Sequence, residues 1–155
     1  MNPLPTLLPG EVAILRTCKA DGTAYGGFRW PLETGAIVAA SDWSPAATCG
    51  KGLHGLARGE GDGKLLNWDP DARWLVVAAS AAETVDLAGK VKFPRCRVLH
   101  VGDRSTAPAI LSALYPGAAV VAGTATAGYE GTATAGNWGT ATAGDGGTAT
   151  AGDGG

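Results

Sequence analysis

Hydrophobic and polar residues follow strand-like patterns over much of the first 117 residues. Residues 11–17 and 95–101 alternate apolar with polar side chains, as half-buried strands do. Residues 74–79 form a continuous apolar run of strand length, which predicts a central strand covered on both faces. Further short strands are predicted at residues 23–30, 36–40, 84–87 and 90–93, the first of them as a hairpin partner of residues 11–17.

A single helix is predicted near residue 110. Ser105 or Thr106 can cap it, Pro108 suits its first turn, and Pro116-Gly117 ends it. Residues 42–55 are predicted as a loop and residues 55–68 as one or two helical turns. The predicted core consists of Ile14, Leu15, Phe28, Trp30, residues 74–77, Val98 and Leu99.

The last part of the chain repeats an eight-residue unit, Gly-Thr-Ala-Thr-Ala-Gly-x-x. Copies begin at Gly123, Gly131, Gly139 and Gly147, and Gly155 opens a fifth. Because that fifth copy is one residue long, we expect the natural protein to continue further. Strict self-similarity of this kind indicates a repeat architecture.

Within each copy, threonine alternates with alanine at period two, so an extended chain places them on opposite faces. The glycines and the two variable residues then supply a turn. Two units would build a coil of about sixteen residues with two stacks of parallel strands. The predicted outward face carries Thr124, Thr126, Thr132, Thr134, Thr140, Thr142, Thr148 and Thr150. The predicted interior carries Ala125, Ala127, Ala133, Ala135, Ala141, Ala143, Ala149 and Ala151.

These patterns predict a mainly β protein with two parts. Residues 1–117 form a β-rich α+β capping domain, and residues 118–155 form a thin β-solenoid with two eight-residue repeats per coil. Two other structures suit the repeat composition. A Gly-rich tract can be a flexible tail, and small-residue strands can stack between chains in a silk-like or cross-β manner.

Charge is confined largely to the first part of the chain. All twelve Lys and Arg residues precede residue 118, where they balance eleven acids, so neither part has the basic surface of a nucleic-acid-binding protein. No apolar stretch is long enough for a membrane span, and residues 1–10 do not resemble a signal peptide. The cysteines Cys18, Cys49 and Cys96 are odd in number and widely spaced, which indicates reduced thiols in a cytoplasmic protein.

The sharpest local motif is Cys49-Gly-Lys-Gly-Leu-His-Gly55. Cys49, Gly52, Leu53 and His54 resemble the Cys-x-x-Gly-(Leu/Phe)-His signature of an uncharacterised bacterial and phage domain family, in which short Gly/Ala/Thr-rich repeats often follow. The resemblance covers residues 11–115 and implies the two-part architecture, but it implies no activity.

Cys49 and His54 are the candidate site of the first part. Leu53-His54-Gly55 resembles the His-Gly of ADP-ribosyltransferase-like folds, which implies a nucleotide-binding or ADP-ribosyltransferase-like domain as one alternative. Cys49, His54 and His100 lack the spacing of a metal site, and the Gly59 to Gly63 segment lacks the pattern of a calcium loop. We therefore expect no metal, no cofactor and no catalytic residues.

The threonine rows give the repeat two possible functions. Regular arrays of Thr-x-Thr resemble those of ice-binding solenoids, which implies ice binding as an alternative function. Our main prediction is a structural protein that self-associates end to end or side by side into rods or fibres through exposed strand edges. Tyr129 and Trp138, at turn positions, are expected to stack on neighbouring coils or another chain.

Overall fold

The computed structural model describes residues 3–127 and 129–154. Met1, Asn2, Gly128 and Gly155 lie outside the described residues, as does the side chain of Ala127, a predicted interior position of the repeat. The described part of the chain is mainly β, with one α-helix, as predicted. The strands of its larger sheet are β1 (Glu11–Cys18), β2 (Ile37–Ala39), β3 (Leu53–Ala57), β4 (Arg73–Ser80), β5 (Val85–Asp86), β6 (Val91–Phe93) and β7 (Arg95–Gly102).

These seven strands form one antiparallel sheet in the order β2-β7-β4-β1-β3-β6-β5. The predicted central strand, β4, lies inside the sheet between β7 and β1. Its unbroken apolar run is explained by burial on both faces, since Trp74 and Val76 belong to one core cluster and Leu75 and Val77 to the other. Each such side chain contributes roughly 1.5 to 3 kcal/mol by leaving water.

Helix α1 (Thr106–Leu114) covers one face of the sheet through the fully buried side chains of Ala107 and Leu111. Its first turn is capped differently from the prediction. The N-cap residue Ser105 makes no side-chain cap bond. Instead, the carboxylate of Asp103 accepts hydrogen bonds from the backbone N–H groups of Ser105 and Thr106, at 2.9 and 3.0 Å.

The predicted strand at residues 23–30 is wrong. Thr23 and Arg29 make a single antiparallel bridge around a 3-10 turn at Tyr25–Gly27. The turn forms because Gly26 and Gly27 adopt φ angles of +74° and +80°, which a strand does not contain. Phe28, a predicted core residue, is 38% exposed and contacts Trp30 edge-on. The other predicted core residues are buried.

The predicted loop and helical turns at residues 42–68 are partly wrong, because Leu53–Ala57 form strand β3. Gly55 makes this strand possible, since a Cβ there would lie 2.5 Å from Ile14 Cγ2 and 2.8 Å from the Leu15 carbonyl oxygen of β1. The only helical structure in this described segment is a 3-10 turn at Gly63–Leu65. The Asp62 carboxylate caps this turn by accepting a hydrogen bond from the Lys64 backbone N–H.

The repeat contributes four further strands, one from each Thr-Ala-Thr-Ala segment. They are β8 (Thr124–Ala127), β9 (Thr132–Ala135), β10 (Thr140–Ala143) and β11 (Thr148–Ala151). Strand β8 pairs in parallel with β10, and β9 pairs in parallel with β11. Every strand therefore pairs with the strand two copies away, not with its neighbour in sequence.

Candidate functional site

The repeat strands stack in an exact sequence register, with identical residues side by side. Thr124 lies beside Thr140 and Thr126 beside Thr142, while Thr132 lies beside Thr148 and Thr134 beside Thr150. We name the first set the β8–β10 threonine face and the second set the β9–β11 threonine face. Seven of these eight threonines are exposed, and Thr134 is half-buried.

The alanines alternate with the threonines and are less accessible. Ala133 and Ala135 are 2% and 4% exposed. Ala125, Ala141, Ala143 and Ala151 are half-buried, whereas Ala149 is exposed. The described alanines thus line a narrow interior between the two strand pairs, and among them burial is greatest in β9.

The turns of the repeat share one backbone conformation at the eighth position of each unit. Glu130, Trp138, Gly146 and Gly154 have φ angles of +55°, +56°, +74° and +78°. Ala122, directly before the first copy, has the same value at +57°. The backbone path of the repeat therefore begins earlier than its sequence motif does.

Hydrogen bonds support this earlier start. The backbone N–H of Gly136 donates to the Val120 carbonyl at 2.8 Å, and that of Ala122 donates to the Asn137 carbonyl at 2.7 Å. The segment 120–122 thus lies against the turn at residues 136–138 as a preceding layer. Because Val120 and Val121 are fully buried in the same core cluster as Leu111, this layer joins the repeat to the sheet.

Trp138 makes a second connection between the repeat and the sheet. Its ring centroid lies 4.8 Å from that of Trp68, which in turn makes an edge-on contact with Trp74 at 5.1 Å. Gly63 leaves room for the indole, since a Cβ at this position would lie 2.6 Å from Trp138 Cζ3. Trp138 therefore packs on the first part of the same chain. It also lies against the neighbouring coil, as predicted, since a Cβ at Gly154 would be 2.7 Å from Trp138 Cδ1. Tyr129 is 75% exposed.

The other candidate site, at Cys49 and His54, lies beside β3. Cys49 is exposed, and its Sγ accepts a hydrogen bond from Lys90 Nζ at 3.1 Å, which lowers the pKa of the thiol. His54 Nε2 accepts a hydrogen bond from the Gly50 backbone N–H at 3.3 Å. Burial, reinforced by the positive charges of Lys90 and Arg16, lowers the pKa of His54 to about 4, so its ring is neutral at pH 7.

These contacts do not assemble a catalytic pair. Cys49 and His54 share no hydrogen bond among the described atoms, and His100 contacts Thr106 Oγ1 at 2.9 Å instead. Glu60 and Glu83 form ion pairs with Arg58 and Arg95. Within residues 3–127 and 129–154, no three His, Cys, Asp or Glu side chains converge to hold a metal ion.

Residues 12–113 match the protein family described as "Domain of unknown function (DUF7666)". The chain belongs to this family. The expectation of an uncharacterised domain family is thereby met at the level of the family, whereas the Cys49–His54 signature stays a prediction. We refer to residues 12–113 as the DUF7666 domain.

The chain is also similar to ice nucleation proteins. It is 40% identical over 99 residues to the ice nucleation protein InaU of Pantoea ananas, and 35% identical over 104 residues to an ice nucleation protein of Pseudomonas fluorescens. A Pseudomonas syringae ice nucleation protein is 36% identical over 105 residues. These matches cover 63 to 66% of this chain but only 8 to 9% of the relatives. The relatives are named for ice nucleation, not as enzymes. No solved structure matches the chain.

Two features of the site were absent from the sequence interpretation. The first is the contact between Trp138 and Trp68. Its only sequence signal is that Trp138 is the one tryptophan among the variable positions of the repeat. The positive residues Arg16 and Lys90, which lie near His54, are distant from it in sequence and belong to no recognisable motif.

Among the helices of the described residues, none has the length and apolar character of a membrane span.

Proposed function

We propose that the octapeptide segment forms a β-solenoid whose threonine rows bind ice, and that the DUF7666 domain caps its first coil. The observation that carries the proposal is the stacking of threonine beside threonine in each parallel strand pair. The similarity to ice nucleation proteins supports the same class of function.

The physical argument rests on regular spacing. Paired strands lie about 4.8 Å apart, and alternate residues of one strand lie about 6.6 Å apart. Threonine repeated on such a grid presents hydroxyl and methyl groups at fixed intervals. Because the backbone hydrogen bonds hold the grid, water molecules bound to it take up a periodic order without further ordering of the protein. A periodic water layer is what contact with an ice surface requires.

Of the two faces, the β8–β10 threonine face is the better candidate. All four of its threonines are exposed, whereas Thr134 of the β9–β11 threonine face is half-buried. We therefore assign ice binding to Thr124, Thr126, Thr140 and Thr142.

The DUF7666 domain suits the role of a cap. An alanine interior is thin and buries little apolar area, so a short solenoid needs stabilisation from outside. Val120 and Val121 supply it by joining the first layer to the domain core, and the Val121 backbone N–H donates to the Gly59 carbonyl at 2.8 Å. These contacts support the proposal of a capping domain at residues 1–117 followed by a repeat segment at residues 118–155, joined through Val120 and Val121.

Self-association would extend the proposed surface. Among the described residues, β10 and β11 each pair with one strand only, so each leaves one edge free for a further coil. A face of four threonines is large enough to contact existing ice, but nucleating new ice needs a larger ordered area. We propose that side-by-side or end-to-end association of chains provides this area.

Ice shaping and droplet freezing test the proposal. The purified chain should produce faceted ice crystals, and freezing of droplets should shift to higher temperature as protein concentration rises. Replacing Thr124, Thr126, Thr140 and Thr142 by Asn should abolish both effects. The matched variant changes Thr132, Thr134, Thr148 and Thr150 to Asn and should retain most of the ice shaping. Equal loss in both variants, with β-structure preserved by circular dichroism, would refute the face assignment.

Association is tested separately by sedimentation velocity and negative-stain electron microscopy. We expect concentration-dependent oligomers or rods from the full chain and monomers from a version ending at Ala122, which keeps the buried core residues Val120 and Val121. A chain that shapes ice but remains monomeric at all concentrations would contradict self-association while leaving ice binding intact.

A further inference from the structure

A cleft of about 380 Å³ opens beside β3, away from the threonine faces. Its polar lining includes Arg16, Lys90 and His54, and its apolar lining includes Leu56 and Leu66. No described Asp or Glu lines it. A volume of this size is within the range of small-molecule sites.

Arg16 is held in place by neutral groups. Its Nε donates to the Thr17 carbonyl at 3.1 Å, and its Nη1 donates to the His54 carbonyl at 2.9 Å. Its guanidinium carbon lies 4.9 Å from the ring centroid of Trp30. No carboxylate pairs with it among the described residues. Burial lowers the pKa of Arg16, as expected for a desolvated charge without a counter-ion.

Two lysines add positive charge near His54. Lys90 lines the cleft and makes its side-chain hydrogen bond to Cys49 Sγ. Lys92 is fully buried, and its Nζ has no hydrogen-bond partner among the described atoms. That Nζ lies 5.5 Å from the ring centroid of Trp43. Buried cations of this kind are costly unless a negative charge compensates them.

The lining therefore joins two different surfaces. Arg16 and Lys90 present positive charge that no described carboxylate pairs with, and the same lining includes the ring of Tyr25 and the side chains of Leu56, Leu65 and Leu66. The ring of His54 also lines the cleft and is neutral at pH 7. Cys49 is a lining group that can become negative, and its Sγ already accepts a hydrogen bond from Lys90.

We propose that this cleft binds a small organic anion, with its carboxylate or phosphate on Arg16 and Lys90 and its apolar part against the leucines. Arginine offers a planar pair of N–H donors that matches either oxyanion, and lysine adds a point charge. This site is independent of the threonine faces and assigns the DUF7666 domain a ligand of its own.

Four probes test the proposal on the full chain by isothermal calorimetry and by NMR shift mapping of backbone amides. Phenyl phosphate and benzoate present a ring with a phosphate or a carboxylate, benzyl alcohol presents the ring alone, and inorganic phosphate presents the anion alone. We expect at least one ringed anion to bind with a Kd between about 10 µM and 1 mM. Both benzyl alcohol and inorganic phosphate should bind at least about tenfold more weakly than that probe.

Variants assign the binding to the cleft. Lys90→Gln should weaken the preferred anion about five- to tenfold, and Arg16→Lys should weaken it further because the planar donor pair is lost. Lys19→Gln is the matched control, since Lys19 is an exposed lysine outside the cleft. Because Lys90 is only half-buried, its variant is informative even where Arg16→Lys fails to fold. The proposal is overturned if neither ringed anion binds below 10 mM, or if Lys90→Gln and Lys19→Gln weaken binding equally.

Discussion

Trp138 of the repeat packs against Trp68 of the DUF7666 domain, with ring centroids 4.8 Å apart and ring planes at 48°. Trp138 does so from a backbone conformation with φ of +56°, which is unfavourable for a bulky residue. The packing gained by the indole therefore outweighs the local strain. This relationship holds the first coil of the repeat against the domain that precedes it.

Glycine substitution at this turn position separates strain from packing. Glu130 occupies the same place in its repeat with φ of +55°, but its side chain makes no such aromatic contact. Glu130→Gly should stabilise the fold by about 0.5 to 1 kcal/mol, because the left-handed strain is removed. Trp138→Gly should instead destabilise it by about 2 to 3 kcal/mol, because the aromatic packing is lost. Urea denaturation followed by circular dichroism measures both, and two shifts of the same sign would contradict this account.

The contact between Gly59 and the segment at residues 120–121 also joins the repeat to the domain and gives another prediction. Gly59 has φ of +77°, and a Cβ there would lie 2.8 Å from Val120 Cγ1 and 3.2 Å from Leu111 Cδ1. Gly59→Ala should cost about 2 to 4 kcal/mol, from backbone strain and overpacking together. Hydrogen exchange at the Val121 amide, which donates to the Gly59 carbonyl, should accelerate.

Gly117→Ala is the control for that experiment. Gly117 has φ of +90°, but a Cβ there would meet no atom within 4 Å. Its substitution should show the strain cost alone, about 1 to 2 kcal/mol. If both variants lose equal stability, close packing at Gly59 does not contribute to the join.

Strands with a regular apolar pattern could be predicted from the sequence. Residues 11–17, 74–79 and 95–101 fall within β1, β4 and β7, because burial on one or both faces of a sheet imposes that pattern directly. The Thr-Ala-Thr-Ala segments are strands for the same reason. In these segments the local pattern and the three-dimensional environment agree.

Features that depend on long-range contact could not be predicted. The sequence of strand β3 predicts a loop because it contains Gly55. In the structure, however, the strand needs a glycine at this position because Ile14 of β1 lies too close for a Cβ. Val120 and Val121 do not match the repeat motif, although their segment follows the same backbone path. Arg16 and Lys90 meet at the cleft only because β1 and β6 both lie beside β3 in the sheet.

The low pKa of His54, about 4, predicts that acid destabilises the fold. Between pH 6.5 and about 4 the unfolded chain binds more protons at this residue than the folded chain, so stability is full above pH 6.5 and falls as pH decreases through this range. Because His54 is half-buried, we expect a loss of about 1 to 2 kcal/mol from this residue, allowing for solvent screening. Burial also lowers the pKa of His100 and adds to the effect in the same direction.

Urea denaturation at pH 7.5 and pH 4.5 measures this loss. His54→Gln replaces the titrating ring, which accepts a hydrogen bond from the Gly50 backbone N–H, by a neutral amide that can also accept one. Its stability should therefore change less between the two pH values than that of the unaltered chain. His100→Gln serves as the comparison. An NMR titration that places the pKa of His54 near 6.5 would contradict the explanation.

The three cysteines should differ sharply in reactivity. Lys90 donates to Cys49 Sγ and lowers the pKa of this exposed thiol, whereas burial raises the pKa of Cys18 and raises that of Cys96 to about 12. Since the thiolate is the reactive form, a disulfide reagent at pH 7 should label one thiol per folded chain, and Cys49→Ser should remove that reaction. Lys90→Gln should slow labelling about three- to tenfold, and Lys64→Gln, which alters an exposed lysine outside the cleft, should not. Equal rates in the two lysine variants would show that Lys90 does not activate the thiol.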